Sequence, residues 1–306
     1  MASTGDFPDA LDPVFSDMFP EGEVFEGEGL NLVSTLYQEL SSTRPEERLT
    51  SISGLPKAPR FTGSLTYKDP DQGYDVTITH ITNAFGVQIT RHLWDDDQHD
   101  QIQRIFEGFR NSFWETKQDD ASDMFNQAFT ANPLDTFNHT ENVALCSNSH
   151  TTPVSGVSTS SGYDNLSTSA LSATALAADR YTMRLSKNFQ GIRIDRVPDC
   201  VFVPAELDDE ALKITQTRVG LDTAAGDVNV QAGRYQVISS VRLTDTNNFF
   251  TINKDLCKRS LLWYTRDGLE TDRMESFDQF NFKGRGWERY GYGWLFWQGI
   301  IGHSVS

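Results

Sequence analysis

The feature that most constrains the fold of this chain is one long amphipathic segment near residues 95–130. Its apolar residues recur at spacings of three and four, which is the period of one helix face. They are Ile102, Ile105, Phe106, Phe109, Phe113, Ala121, Met124, Phe125 and Ala128. An acidic run, Asp95–Asp97, precedes them where the positive end of a helix dipole favours carboxylates. The sequence therefore predicts a single helix over 95–130 whose apolar face other elements must cover.

The segment before this helix has the alternation that is typical of β-strands. Val76, Ile78 and Ile81 lie near period two, and Val87 and Ile89 continue the alternation, with Thr and His between them. The stretch "KDPDQG" at 68–73 has the composition of a turn, because Pro fixes φ and Gly tolerates positive φ. We expect a two-stranded hairpin over 60–93 with a charged tip at 68–73. A lone hairpin is marginal in water, so it should lean on another surface.

Shorter helices and strands are predicted for the remainder of the chain. A polar loop occupies 131–166, and helices are expected near 169–187 and 205–215. Strands are expected at 192–195, 201–203, 235–241 and 249–252, and in the aromatic C-terminal run. No internal repeat is evident. Strands and helices in this order predict an α+β architecture.

The N-terminal segment 1–59 is acidic and punctuated by Pro and Gly, and only Leu30–Leu40 has a short helical pattern. The apolar side chains of its first part include Phe7, Phe15, Phe19 and Phe25. Two interpretations remain open for this segment. It is either a partly ordered tail or an arm that becomes ordered on a neighbouring subunit.

Charge and cysteine content exclude several classes of protein. The net charge of −17 disfavours a protein that wraps nucleic acid, because phosphate binding needs a dense positive surface. The three cysteines include no CxxC pair, so neither a disulfide framework nor a zinc site is predicted. No secretory signal and no apolar stretch of membrane-spanning length is visible. We expect a soluble, cytoplasmically made protein with no membrane partner.

One short stretch, "ALCSNSH" at 144–150, has the residue types of a nucleophile and its base. Cys146 and His150 are four positions apart, with Glu141 upstream. A catalytic dyad must be held within hydrogen-bond distance, and a reactive thiolate usually lies at a helix N-terminus or strand end. Here both side chains fall in a polar loop that we expect to be flexible, well before the next helix. Loop packing is the favoured role, and a cysteine-dependent hydrolase is the remote alternative.

No other motif indicates an active site. The histidines lack metal-ligand spacing, and the chain has neither a phosphate-binding GxxxxGK[ST] loop nor a GxSxG nucleophile elbow. Asp95–Asp97 and Asp208–Glu210 are interpreted as first turns of helices rather than as metal ligands. The sequence predicts no catalytic residue, no cofactor and no metal site.

Four stretches, in this order, resemble the major capsid (major head) proteins of tailed bacteriophages, which share the Hong Kong 97-type fold. They are "ITRHLWDDDQHDQIQRIFEGF", "ENVALCSNSHTTPVSG" with the following "DNLSTSALSATALAADRYTMRLSKNFQGIRI", "PDCVFVPAELDDEA" and "YGWLFWQGIIGH". The resemblance covers about residues 60–300. Two positions depart from the family pattern: Ala205 replaces the second proline of "VPP", and Gly293 replaces the aspartate of "DW". These departures bear only on the family subtype.

The resemblance implies a division of the chain into the parts of that fold. They are an N-terminal arm (1–59), an extended-loop hairpin (60–93), a peripheral domain (94–164) with its spine helix (95–130), an axial domain (165–265) and return strands to the peripheral domain (266–306). Because the segment before the hairpin is short, no fused scaffolding domain is expected.

The resemblance also implies function and partners. The chain would self-assemble into hexamers and pentamers of an icosahedral head, made in the bacterial host cytoplasm, that encloses double-stranded DNA without sequence-specific binding. Further partners would be a portal protein, a separate scaffolding protein and, in some heads, a decoration protein. An encapsulin-type nanocompartment shell is the alternative within the same fold.

Lys68 is the one candidate for covalent chemistry. Some members of the family crosslink their subunits through a lysine on the extended loop, and Lys68 lies at the predicted hairpin tip. A solvated lysine in a turn is the interpretation that the sequence favours. We therefore expect no crosslink through Lys68.

Overall fold

The computed structural model describes residues 29–65, 67–90, 100–218, 228–276 and 281–305. Its helices are α1 (Leu32–Leu36), α2 (Asp100–Asn126), α3 (Ala173–Leu185), α4 (Asp208–Gln216) and α5 (Lys254–Ser260). Its strands are β1 (Gln38–Ser41), β2 (Glu46–Ile52), β3 (Gln72–Thr79), β4 (Ile81–Thr90), β5 (Phe137–His139), β6 (Leu166–Ser167), β7 (Cys200–Pro204), β8 (Gln236–Ser240), β9 (Phe249–Ile252), β10 (Leu261–Ser276), β11 (Asn281–Trp294) and β12 (Ile300–His303). These strands form three sheets, as expected for an α+β protein.

Helix α2 is the predicted long helix, and it extends over 27 residues before a turn ends it at Asn126. The acidic run Asp95–Asp97 lies outside the described residues. Most of the predicted apolar face is buried, although Ile105 is exposed. The buried amide of Gln118 interrupts this apolar face. Its Oε1 accepts a hydrogen bond from the Leu32 backbone N–H (2.7 Å). This bond attaches the N-terminal helix α1 to α2.

A four-stranded sheet of order β1-β10-β11-β4 lies against α2. Strands β10 and β11 form a long antiparallel hairpin, and β4 adds to its β11 side. The rings of Phe109 and Phe113 reach the sheet at Gly286, where an added Cβ would come within 2.9 Å of Phe109. The absence of a side chain at Gly286 therefore allows the helix to approach the sheet closely.

The predicted hairpin over 60–93 is wrong in its pairing. Both strands exist, but β3 pairs with β2 and β5, whereas β4 pairs with β11. Only His80 separates β3 from β4, which is too short for a hairpin turn, so the chain passes there from one sheet to another. The true hairpin is β2–β3, with Leu49 opposite Val76, and its connection spans residues 53–71. The turn signal at 68–73 marks the end of that connection rather than its middle.

A five-stranded sheet of order β6-β12-β9-β7-β8 forms the other half of the molecule. Strand β7 is buried along its whole length and pairs on both sides, as its apolar sequence predicts. Helix α3 begins at Ser172, whose Oγ accepts a hydrogen bond from the Ala175 N–H (3.1 Å). The strand expected at 192–195 does not form, since only an isolated bridge joins Lys187 to Arg193 there.

Helix α5 was not predicted from the sequence. It begins at Asn253, whose Oδ1 accepts a hydrogen bond from the Leu256 N–H (3.0 Å). It is too short for the helical period to stand out beside the aromatic strands that follow. Within the ranges given above, no helix is both long enough and apolar enough to cross a membrane.

Candidate functional site

The side chain of Cys146 belongs to the core of the protein. Its backbone N–H donates to the Ala128 carbonyl at the end of α2 (2.8 Å), and its thiol lies against strand β12. A Cβ added to Gly302 would come within 2.6 Å of the Cys146 Sγ. Burial raises the pKa of the Cys146 thiol well above its ordinary value. A buried thiol with a raised pKa is a poor nucleophile, because the thiolate is the reactive form.

His150 is also buried, but its contacts are different from those of Cys146. Its ring stacks on Trp297 with 4.5 Å between the centroids, and its Nδ1 lies 3.3 Å from the Glu141 Oε1. The same Glu141 oxygen accepts a hydrogen bond from the Thr151 N–H (2.7 Å). No hydrogen bond joins His150 to Cys146 in the described part of the chain. The expectation of a flexible polar loop is wrong, because packing fixes both side chains.

Asn165 is the residue that fixes this segment, and sequence reasoning missed it. Its side-chain amide donates to the Leu145 and Ile300 carbonyls (2.9 Å each), and its Oδ1 accepts from the Ser147 N–H (2.7 Å). Three hydrogen bonds from one buried amide thus join the "ALCSNSH" segment to the C-terminal strand β12. Loops that are folded inward need such side-chain partners for their backbone groups.

A second buried polar group joins β12 to helix α3. The Nε2 of His303 lies 2.9 Å from the Asp179 Oδ2, and its Nδ1 donates to the Ser169 carbonyl (2.9 Å). The Thr251 hydroxyl donates to the same carboxylate (2.7 Å). The side chains of His303, Asp179 and Thr251 are buried within the subunit, so this arrangement holds the fold and offers no access to a substrate. In the described ranges, no group of three or more His, Cys, Asp or Glu side chains could hold a metal ion.

Among the described residues, the largest group of exposed apolar side chains lies in and beside the β2–β3 connection. It contains Ile52, Leu55, Phe61, Leu65 and Tyr67, of which the last three are 69, 72 and 86% exposed. We call residues 55–68 the hairpin tip. Scattered apolar residues on a surface are ordinary, but several in one segment indicate a surface that a partner covers.

The base of the hairpin, in contrast, is held firmly against the rest of the subunit. The Gln190 amide donates to the Ser53 Oγ (3.2 Å) and to the Gly54 carbonyl (3.1 Å). The ring of Tyr74 meets Phe189 edge to face at 5.8 Å, and its hydroxyl lies 2.5 Å from the Thr151 Oγ1. The hairpin is therefore fixed in direction at its base while its tip presents apolar side chains to solvent.

Lys68 lies on the hairpin tip and is exposed, as its turn position predicts. Its ammonium group forms no ion pair or hydrogen bond with any residue that the structure describes. Cationic Lys57 and Arg60 share the tip and are likewise exposed. Among the described residues of the subunit, nothing around Lys68 would activate its amine.

A second exposed surface lies on the β4–β11–β10 sheet. A groove of about 530 Å³ crosses it between Val87, Met274 and Lys283. Arg285 also lines the groove, but it already pairs with Asp272 (2.6 Å). Charged side chains of both signs, Asp272, Lys283 and Arg285, line this groove beside the apolar side chain of Met274.

Comparison with protein families gives one match that covers most of the chain. A family model described as phage capsid protein matches residues 73–302. These residues include the long helix α2, strands of all three sheets and the "ALCSNSH" segment. A search of curated proteins found no significant match.

Solved structures with similar folds include several phage capsids. The mature capsid of bacteriophage PhiM1 aligns with a TM-score of 0.58 at 11% identity, over 94% of this chain and 90% of that chain. The capsid of cyanophage Pam1 aligns with a TM-score of 0.59 at 11% identity, over 93% of this chain and 94% of that one. The capsid of cyanophage P-SCSP1u aligns with a TM-score of 0.57 at 15% identity, over 95% of this chain and 94% of that one. At such low identities these similarities concern the fold.

Proposed function

The chain belongs to the phage capsid protein family, and from this membership we propose that its copies build the icosahedral head shell of a tailed bacteriophage. Its function is that of a major capsid protein, and its α+β fold is the Hong Kong 97-type fold of tailed-phage capsids. The family match over residues 73–302 carries this conclusion, because it spans both halves of the molecule. The protein is accordingly a component of the virion shell.

The hairpin tip supports an assembling function on physical grounds. Its apolar side chains are not buried within the subunit, yet burying one large apolar side chain contributes about 1.5–3 kcal/mol of favourable free energy. In a closed shell, heterologous contacts form rings, so each copy would bury the hairpin tip of a neighbouring copy. Several weak contacts per subunit then give a stable shell by avidity.

The parts of the fold are assigned as follows. The extended loop is the β2–β3 hairpin, residues 46–79, in place of the 60–93 expected from the sequence. The spine of the peripheral domain is α2, the axial domain is the region of the five-stranded sheet, and β10 and β11 return to the peripheral sheet. The segment before α1 is the arm.

Partners follow from the same function. The chain would form hexamers and pentamers in the host cytoplasm and enclose double-stranded DNA without reading its sequence. A portal protein, a separate scaffolding protein and, where present, a decoration protein would complete the head. The net charge of −17 supports weak contact with the enclosed DNA, because like charges repel.

Electron microscopy tests the proposal directly. The chain is expressed alone and together with the scaffolding protein encoded beside it, and the products are imaged. Closed icosahedral shells are expected under at least one condition. Only irregular aggregates or dispersed subunits under both conditions would refute the proposed function.

A surface variant tests the contribution of the hairpin tip. Leu65→Asp should abolish shells while leaving the free energy of unfolding of the subunit within about 0.5 kcal/mol, since Leu65 contacts solvent there. The control is Tyr181→Asp on α3, which also replaces an exposed large apolar residue. Equal shell yields from the two variants would argue against the tip as an assembly surface.

The two alternatives are less well supported. An encapsulin-type shell shares the fold, but the family match and the structures above are phage capsids. A cysteine-dependent hydrolase needs Cys146 accessible and paired with His150, and neither condition holds in the geometry described above. Thiol labelling of the folded protein at Cys146 would reopen that alternative.

A further inference from the structure

Arg289 on β11 is a half-buried cation without a partner. Its neighbours in the chain, Glu288 and Tyr290, point towards α2, where they meet Lys117 and Asp120. Side chains alternate along a strand, so Arg289 points to the opposite face of the sheet. Its guanidinium forms no ion pair or hydrogen bond with any residue that the structure describes, and its Nε is shielded from solvent. A ligand that supplies both an acceptor and a negative charge would remove this cost.

The carboxylates in this region do not balance its arginines. The Arg266 Nη1 donates to the Arg44 carbonyl (2.9 Å), which brings the two residues together. The Arg44 Nη1 lies 3.9 Å from the Glu47 Oε2, and the Arg266 Nε lies 3.8 Å from the Asp267 Oδ2. These two carboxylates offset at most two positive charges, so the charge of Arg289 remains uncompensated.

His80 shows that Arg289 and Arg266 act on the same place. Its ring is buried, and a Cβ added to Gly291, on the Arg289 face of β11, would come within 3.0 Å of its Nδ1. Burial lowers the pKa of His80, and the charges of Arg289 and Arg266 lower it further, against the opposing charge of Glu47. The local potential is therefore positive, on a chain whose net charge is −17.

The hydrogen bonds of Ser42 determine which nitrogen of His80 carries the proton. The Ser42 hydroxyl donates its only proton to the Glu47 Oε1 (2.6 Å), so it accepts from the His80 Nε2–H (3.1 Å). The Nδ1 of the neutral ring is then a buried lone pair with no partner among the described residues. It can take up a proton once a nearby anion offsets the two guanidinium charges.

We propose that Arg289, Arg266 and His80 form a binding site for a phosphate group. A guanidinium offers paired N–H donors that match phosphate oxygens, and a phosphate supplies the negative charge that Arg289 lacks. A water molecule could accept a hydrogen bond from Arg289 but could not balance its charge. Free phosphate and the backbone of enclosed DNA offer the same chemistry. This inference goes beyond the proposed function, and its tests do not require shells to form.

Equilibrium dialysis of the full chain against radiolabelled inorganic phosphate tests the site. The unaltered chain should bind one phosphate per subunit with a dissociation constant of about 1 mM or below. Arg289→Gln should weaken binding at least about tenfold, because hydrogen bonds to a charged donor are among the strongest. Arg289→Lys should bind with an intermediate affinity, since an ammonium lacks the paired donors. Absence of saturable binding by the unaltered chain, or binding that Arg289→Gln leaves unchanged, would overturn the inference.

Arg285→Gln is the matched control for Arg289→Gln. Arg285 lies on the same face of β11, but its side chain is 75% exposed and pairs with Asp272 (2.6 Å). This variant should bind phosphate as the unaltered chain does, and equal losses in the two variants would indicate only nonspecific attraction to positive charge. Thermal unfolding in chloride checks the fold: the Tm of Arg289→Gln should stay within about 2 °C of the unaltered chain, since no ion pair is lost.

A short DNA duplex distinguishes the two sources of phosphate. Displacement of the labelled phosphate by the duplex at constant ionic strength identifies a nucleic-acid backbone as the ligand, and no displacement identifies free phosphate. If the unaltered chain binds no phosphate but Arg289→Gln prevents shell formation, a carboxylate of a neighbouring copy occupies this position and the inference is wrong.

His80 supplies a readout that a purely structural role would not produce. The charged groups around it are Glu47 on β2, Arg44 before that strand, Arg266 on β10 and Arg289 on β11. Sulfate keeps its charge between pH 5 and pH 8, so a change in its affinity reports on the protein. Sulfate should bind several-fold more tightly at pH 5, because the anion favours the imidazolium, and His80→Gln should remove this difference. A pH-independent affinity in the unaltered chain would place the anion away from His80 and overturn the site.

Discussion

Gly302 reveals how little space surrounds Cys146. An added methyl group would come within 2.6 Å of the Cys146 Sγ and 2.9 Å of the Phe129 ring. We expect Gly302→Ala to lower the free energy of unfolding by about 1–3 kcal/mol, because overpacking a dense core forces neighbours to shift. Urea unfolding of the subunit measures this change.

A matched glycine provides the control for Gly302→Ala. Gly108 lies in α2, and a Cβ added there meets nothing within 4 Å. Gly108→Ala should stabilise the subunit by up to about 1 kcal/mol, since alanine favours the helix. If Gly302→Ala were as stable as the unaltered chain, the segment around Cys146 would be looser than its contacts indicate.

Asp120 gives the subunit a pH-dependent stability. Burial raises the pKa of its carboxyl to about 6, against the opposing hydrogen bond from the Tyr290 hydroxyl (2.6 Å). The folded state therefore holds the proton more tightly than the unfolded state, whose aspartates titrate near pH 4. By linkage, the contribution of Asp120 destabilises the fold progressively as the pH rises from about 4 to about 6, and fully above that.

Asp120→Asn tests this sign. The amide oxygen can still accept from Tyr290, but no charge has to be buried. At pH 8 the variant should be more stable than the unaltered chain by about 1 kcal/mol, after allowance for solvent screening of a partly buried group. At pH 4 the two should be nearly equal. A difference that is the same at both pH values would contradict the assignment.

The burial of "ALCSNSH" could not be predicted from its own composition. Its residues are mostly polar, and polar residues in a row usually indicate an exposed loop. What buries them is long-range: the stacking of His150 on Trp297 and the amide of Asn165, which lies well beyond Ser147 in the chain. The sequence argued against catalysis at Cys146 through an expected flexibility that the structure does not have.

At the level of elements, the contact between α2 and the sheet includes one buried ion pair. The Lys117 Nζ lies 2.7 Å from the Glu288 Oε2, and the carboxylate side chain is fully buried. Burial raises the pKa of Glu288, and the charge of Lys117 opposes that rise. Lys117→Met should therefore destabilise the subunit by about 3 kcal/mol at pH 8, because an unpaired charge remains buried.

The double variant distinguishes a pairing effect from loss of packing. Replacing both Lys117 and Glu288 by methionine removes both charges and keeps similar volume, so most of the lost stability should return. Thermal unfolding of the four proteins of this cycle gives the coupling between the two residues. Additive losses would mean that the pair contributes nothing as a pair.

The elements that the sequence predicted well are those with strong local periodicity. Helices α2 and α3 and strands β7 and β9 lie close to their predicted positions because each has a clear apolar pattern. Strand β2, "EERLTSI", begins with charged residues, so the sequence did not identify it as a strand and assigned it to the arm. Strand pairing is long-range information, so β3 and β4 could be recognised as strands but not assigned to their partners.

At the scale of the whole molecule, assembly depends on surfaces that contribute little to the stability of the single subunit but form contacts between subunits. The described core holds the base of the hairpin through Gln190 and Tyr74 and leaves its apolar tip exposed. The fixed base sets the direction of the hairpin. The apolar surface of the tip stays available for burial against a neighbouring subunit. Preorganisation of this kind lowers the entropy lost on association.

Lys68 leads to the last prediction, which concerns the assembled shell. A crosslink would need an activated amine, yet this lysine is exposed on the tip without a partner in the described chain. Particles boiled in denaturant and SDS should therefore run as a monomer near 34.4 kDa. A ladder of covalent multimers that Lys68→Ala removes and the neighbouring control Lys57→Ala does not would show that a second subunit supplies the missing activation. In that case the shell would be held by covalent bonds as well as by the noncovalent contacts of the tip.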